Sequence, residues 1–105
     1  LISTSKNNDG LVIAYCEWRN VGQSGFDKLH GEYVYIADIW IHDSHHNDWS
    51  IYREFMNEIF QKALHAKFMY FQRRKYQGRM SRVYTKERIM KLVDKCPMML
   101  VKVLV

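Results

Sequence analysis

Glu32-Tyr33-Val34-Tyr35-Ile36-Ala37-Asp38-Ile39-Trp40-Ile41-His42 is dense in β-branched and aromatic side chains, which fit a pleated, packed surface. It predicts a strand over Tyr33–Ile41. Apolar residues fall on both faces of that strand, so it is expected in the middle of a sheet, covered on both sides or by a helix on one, with Ile36 and Ile39 buried.

Downstream the period changes. His42 to Asp48 is polar, after which Ile51, Phe55, Ile59 and Ala63 recur at four-residue spacing, with Tyr52, Met56 and Phe60 widening the stripe. This predicts an amphipathic helix over roughly 49–65. Asn47 or Asp48 is placed to cap its first amides, and Glu54 to complement the positive end of its dipole. Lys67 to Tyr76 returns to strand, with Phe68 and Tyr70 on one face and Met69 and Phe71 on the other, and Gln77-Gly78 closes it. A short helix over roughly 85–93 follows, opened by Thr85 as a cap, with Ile89, Leu92 and Val93 facing inward and Pro97 beyond its end. The apolar tail 98–105 is either a last strand or an exposed extension.

Upstream, Val21 to Gly31 is a break containing Gly22, Gly25 and Gly31. Before it, Asn7-Asn8-Asp9-Gly10 separates Leu1–Ser5 from the apolar run Leu11–Trp18. Asn, Asp and Gly tolerate positive φ, so this reads as a hairpin turn. The expected order is β-β-β-α-β-α, an α+β fold with a mostly antiparallel central sheet and two helices packed on it.

A chain of 105 residues suffices for one hydrophobic core and not two, so residues 1–105 are expected to form a single domain. An apolar fraction of 48 % with a single proline is the balance of a folded chain. The start at Leu1, without methionine, points to processing or to truncation at the N-terminus. No leader peptide is visible, and no apolar run approaches the roughly 20 residues that cross a bilayer. Two cysteines, Cys16 and Cys96, give no disulfide framework, so both are expected as reduced thiols in a cytoplasmic protein. The net charge of +5 favours an anionic partner. From Lys67 to Lys91 nine cations stand against Glu87 alone, so the positive field belongs to the C-terminal third.

The block 32–42, the polar loop, the helix and the strand Lys67-Phe68-Met69-Tyr70-Phe71 together resemble the central part of the GNAT N-acetyltransferase superfamily, over about residues 11–93. Trp40-Ile41-His42 is similar to the triplet that ends the family's central strand. The resemblance implies acetyl-CoA as cofactor and transfer of its acetyl group to an amine. It implies that Ile39 and Ile41 at the strand end, His46, Asn47, Trp49 and Ser50 at the following turn, and Arg73 and Arg74 after the next strand hold the cofactor. It also implies Asp38 as general base and Tyr84 as general acid to the departing thiolate. The chain departs from the family in the turn, where His45-His46-Asn47-Asp48-Trp49-Ser50-Ile51 contains no glycine. The family's turn brings bare amides against a diphosphate. Here Trp49 obstructs that approach and Asp48 opposes it electrostatically. Either the coenzyme binds in a modified way or the site has been lost. Lys75-Tyr76-Gln77-Gly78-Arg79-Met80 is a second register for a phosphate loop.

Each candidate also has a plainer role. Asp38 lies between Ile36, Ile39 and Trp40 in sequence, surroundings that would raise a carboxyl pKa towards that of a base, but it would serve equally as a solvated or salt-bridged carboxylate. Tyr84 is equally a core residue. His42, His45 and His46 with Asp43 and Asp48 have metal-ligand chemistry but no zinc spacing, so a surface loop and no metal are expected. The basic run interleaved with Phe68, Tyr70, Phe71 and Tyr76 fits a solvated surface, a cofactor phosphate or a nucleic acid. The leading expectation is acetyl transfer to a small-molecule or peptide amine. The alternative is a non-catalytic module binding a phosphorylated ligand or nucleic acid, or acting as an interaction domain, with a homodimer as one form of it.

Overall fold

The computed structural model describes residues 1–45, 48–71 and 83–95. Five strands form one sheet in the order β1-β2-β3-β4-β5: β1 Ile2–Lys6, β2 Val12–Val21, β3 Tyr33–Ile41, β4 Phe68–Phe71 and β5 Val83–Thr85. Helix α1 spans Trp49–Lys62, between β3 and β4, and α2 spans Lys86–Lys95. The fold is α+β. Every neighbouring pair is antiparallel except β3 and β4, which α1 joins as a crossover. Three-residue β5 interrupts the expected order: the sequence places a cap there but shows no strand, because so short a segment carries no periodicity of its own.

The β1–β2 hairpin forms where the turn residues predict it. Asn7 Oδ1 accepts from the amides of Asp9 and Leu11, both at 3.0 Å, and Gly10 has φ +80°, a conformation that a side chain disfavours. A second glycine is needed for space rather than for its dihedral. A Cβ on Gly31 would stand 2.2 Å from the Val21 carbonyl oxygen, where the 22–31 loop folds back over the end of β2.

β3 is central, but not as uniform alternation predicts. Its ladder with β2 runs Tyr15↔Trp40, Cys16↔Ile39, Glu17↔Asp38 and then Trp18↔Ile36, which leaves Ala37 as an extra residue. This is a β-bulge. Before it, Val34 and Ile36 face the core; after it, Ile39 and Ile41 do. Ile36 is buried as expected, whereas Ile39 is only half-buried and packs at the core's margin. Of the two covers expected, helices on one face are what the described residues show. Tyr33, Tyr35, Asp38 and Trp40 share the other face, and the described helices do not cover it.

Both helices lie on the inner face, α1 against β1 and β2 and α2 against β4 and β5. Ile51, Tyr52, Phe55, Met56, Ile59 and Phe60 of α1 and Ile89, Leu92 and Val93 of α2 enter one core with Ala14, Cys16, Trp18, Val34, Ile36, Ile41 and Met69. Trp18 brings a polar atom into it and satisfies it, since its Nε1 donates to buried Ser3 Oγ at 3.2 Å. α1 ends earlier than the predicted 65, its Ala63 amide donating to the Ile59 carbonyl. α2 starts after Thr85, whose Oγ1 accepts from the Arg88 amide at 3.2 Å, the cap the sequence predicts, and runs on to Lys95. The two helices are tied where Arg53 Nη2 donates to the Val93 carbonyl at 3.4 Å. Among the described residues, no helix is long and apolar enough to cross a membrane.

Phe55 has no exposed surface and touches the sheet from the middle of α1. Phe55→Ala removes a ring and leaves a cavity, so it should lower the unfolding free energy by about 3–5 kcal/mol. Urea denaturation followed by circular dichroism measures the loss; a change within about 0.5 kcal/mol would mean that Phe55 is not a core residue.

Candidate functional site

The sheet face opposite the helices is built from alternate residues of all five strands, with exposed Ile2 and Thr4 of β1 beside Glu17 and Tyr15. β2 contributes Tyr15, Glu17 and Arg19; β3 contributes Tyr33, Tyr35, Asp38 and Trp40; β4 contributes Phe68 and Tyr70; and β5 contributes Val83, 52 % exposed. Cross-strand pairing sets their neighbours. Tyr15 stacks on Trp40 with ring centroids 5.8 Å apart, Tyr33 on Phe68 at 5.0 Å, and Tyr35 leans on Tyr70 at 5.1 Å. Arg19 lies over the Tyr35 ring at 5.4 Å and is 3.7 Å from Asp27. Burial, chiefly, and the neighbouring Tyr35 push the Tyr70 hydroxyl above its ordinary pKa, with Arg19 pulling the other way.

Asp38 is on this face, in the C-terminal half of β3. Tyr15 donates its hydroxyl to Asp38 Oδ2 at 2.7 Å, a charge-assisted bond that fixes the carboxylate. The apolar setting expected from its sequence neighbours does not form, because the bulge sends Ile36 and Ile39 to the opposite face and leaves only Trp40 beside it. Sequence reasoning did not select Tyr15, Glu17 or Arg19. The alternation of β2 carried the signal, since burial of Ala14, Cys16 and Trp18 puts the odd-numbered residues outside.

The remaining predicted site residues are dispersed. Tyr84 is buried on the inner face of β5, opposite Met69, so the sheet itself separates it from Asp38. The structure does not bring base and acid together. Ile41 is also in the core, and Ile39 borders it. Trp49 is half-buried against the core at the start of α1. Ser50 donates its amide to Asp48 Oδ1 at 3.1 Å, and Asp48 is the N-cap. Glu54 lies beyond the first turn, so it is Asp48 that complements the dipole there. His46, Asn47, Arg73, Arg74 and the Lys75–Met80 register lie outside the described residues, as do Cys96 and the tail. His42 Nδ1 lies 2.8 Å from Ser44 Oγ and accepts from the Ser44 amide at 3.2 Å. Among the described residues, no group of three or more His, Cys, Asp or Glu is placed to hold a metal ion.

β3 and β4 are the one parallel pair among the described strands. The C-terminal ends of β3 and β4 point the same way, and the chain leaves β3 there towards the N-terminus of α1. Outside the carboxyl ends of parallel strands is where α/β sheets commonly bind ligands. The described β3–β4 pairing covers Tyr33–Ile36, so Asp38, Ile39 and Ile41 have their described ladder with β2 alone. No family model matches the chain, nor does any curated protein or solved structure.

Cys16, directly behind this face, is chemically quiet. Burial, with smaller contributions from Asp38 and Glu58, pushes its thiol from 9.0 up to about 12. The folded state therefore holds the thiol proton more tightly than the unfolded chain. The resulting stabilisation is present below pH 9 and is lost as pH rises through 9 towards 12. In a Cys96→Ser background, a thiol reagent at neutral pH should react with Cys16 only as fast as the protein unfolds, and the urea midpoint should fall as pH rises above 9. Rapid labelling of the native protein would show instead that Cys16 is accessible.

Proposed function

We propose that this chain is a GNAT-like acetyltransferase domain that moves an acetyl group from acetyl-CoA to an amine. The observation that carries the proposal is Asp38, a carboxylate held by Tyr15, two residues beyond the described β3–β4 pairing and on the sheet face away from the helices. In this reaction Asp38 takes a proton from the acceptor ammonium. The freed nitrogen lone pair then attacks the thioester carbonyl, a C–N bond forms, the C–S bond breaks, and the coenzyme leaves as a thiolate that takes up a proton. Tyr15 orients Asp38 throughout. Tyr84, behind the sheet, acts as a packing residue rather than as the acid.

The coenzyme's phosphates would lie outside the carboxyl ends of β3 and β4. Arg73, Arg74 and Lys75, which follow Phe71 in sequence, would supply the charge that a turn without glycine and a helix end already capped by Asp48 do not. Ile39 and Ile41 would serve through their backbone, since their side chains face the core. The cytoplasm, which supplies acetyl-CoA and keeps thiols reduced, is the expected compartment. A second use of the fold, single-stranded nucleic-acid binding, draws on the rings of Tyr33, Tyr35, Phe68 and Tyr70, because stacking accepts any base. Glu17 and Asp38 on the same face repel phosphates, which ranks it below acetyl transfer.

Calorimetric titration with acetyl-CoA at low and moderate salt tests the proposal, and micromolar affinity is the expected result. Replacing Arg73 and Arg74 together with alanine should weaken that affinity by about 2–4 kcal/mol, the range for lost charge-assisted hydrogen bonds. Asp38→Asn should leave coenzyme affinity unchanged and cut turnover by about 10²–10⁴, the range for a general base. Absence of coenzyme binding together with salt-sensitive retention of single-stranded DNA or RNA would replace this function with the nucleic-acid one.

A further inference from the structure

Among the described residues β1 is an edge of the sheet, with β2 its only neighbour. Leu1 and Trp18 exchange both backbone hydrogen bonds, at 2.9 and 3.0 Å, and the Asn7 amide donates to the Leu11 carbonyl at 3.0 Å. Alternation along an antiparallel ladder therefore turns the backbone of Ser3 and Ser5 towards β2 as well. The N–H and C=O groups of Ile2, Thr4 and Lys6 turn to the opposite side, away from the sheet. Proteins commonly blunt such an edge with a bulge, a proline or charges along it. Here the register passes from Ser5↔Ala14 to Lys6↔Val12, so the bulge residue is Ile13 of β2 and β1 itself runs regularly. β1 holds no proline and one charge, Lys6, at its end. On the outer face beside that edge Ile2 is 64 % exposed and Val12 45 %.

We propose that two copies of this chain join antiparallel through β1, about a two-fold axis at Thr4, into one continuous sheet. This register engages Ile2, Thr4 and Lys6 together. Thr4 pairs with Thr4 of the second copy and Ile2 with its Lys6, each pair exchanging both backbone hydrogen bonds. The side chains select a second copy as the occupant. Ile2 lies opposite Glu17, and Lys6 opposite Val12. Across the joined edges the outer face then reads Glu17, Ile2, Lys6 of the second copy and Val12 of the second copy, and the two-fold axis repeats that row in reverse. Lys6 of the second copy lays its stem over Ile2 and brings its ammonium towards Glu17, whose strand is two spacings, or about 9.5 Å, away. Within one copy Glu17 and Lys6 stand at opposite ends of β1, so the charges meet only across the axis. The middle row sets Thr4 beside Thr4 of the second copy, a favourable cross-strand pair, with Tyr15 of each copy next to it. On the inner face, where α1 lies against β1, Ser3 faces Ser5 of the second copy. The dimer uses neither Asp38 nor the strand exits, so it stands independently of the acetyl transfer proposed above.

Sedimentation velocity of the full chain, from low micromolar to submillimolar concentration, tests the proposal, and a concentration-dependent monomer–dimer equilibrium is the expected result. Thr4→Pro removes the N–H at the axis and none that faces β2, so it should weaken the dimer about tenfold or more. Lys6→Glu and Glu17→Lys each set like charges together across the axis and should weaken it about fivefold, whereas the two substitutions combined restore the attraction and the dimer. Dispersed amide spectra of each variant establish that the fold is kept. In a mixture of labelled and unlabelled chains, a nuclear Overhauser contact between the Hα of Ser3 and the Hα of Ser5 of the other copy reports the register, because these residues form the closely spaced, non-hydrogen-bonded pair. A monomer at every concentration, a dimer equally strong in Thr4→Pro, or single charge reversals that the double reversal does not rescue would overturn the proposal. Protection of the Ile2 and Thr4 amides that is independent of concentration, with contacts to residues 98–105, would also overturn it and give the edge to the chain's own apolar tail.

Discussion

The extra residue at Ala37 in β3 is the constraint on which the rest of this molecule depends. Without it, alternation set by Val34 and Ile36 would carry Asp38 and Trp40 into the core and expose Ile39 and Ile41. A carboxylate would then sit beneath α1 without a partner, at a cost of several kcal/mol. The bulge shifts the phase by one residue halfway along the central strand. Both halves thereby bury their aliphatic residues, and the one acid of the strand emerges on the far side, where Tyr15 meets it.

Two dissimilar faces follow from that shift. The inner face is a packed apolar layer shared by both helices, and its few polar groups are satisfied, as Trp18 is by Ser3. The outer face holds rings that stack or lean on one another across strands, with charges between them. Such a face is stabilised by cross-strand pairs rather than by a second layer. The 22–31 loop closes one end of it: Val21 points to this face yet has no exposed surface and is not part of the main core.

Topology places the chemistry. Because β3 and β4 are parallel and α1 must cross between them, the exits of both strands and the entry to α1 gather at one end of the sheet. Asp38, in the half of β3 that leads to that end, emerges on the outer face of the sheet.

Much of this was legible in the chain. The hairpin follows from Asn7 and Gly10, which need no distant partner, and α1 from the four-residue spacing of Ile51, Phe55 and Ile59, which a helix alone can gather on one face. The Thr85 cap and the alternation of Phe68, Met69 and Tyr70 are local in the same sense. The faces of β3 were not legible, because a bulge is decided by the partner strand: only the ladder with Glu17 and Trp18 reveals that Ala37 is extra. For the same reason the sequence neighbours of Asp38 misreport its surroundings. Tyr84 shows the other limit. Whether a tyrosine meets a carboxylate depends on which side of the sheet each occupies; the sequence determines the alternation within an unbroken strand, while only tertiary pairing decides where a bulge breaks it and which phase faces the helices.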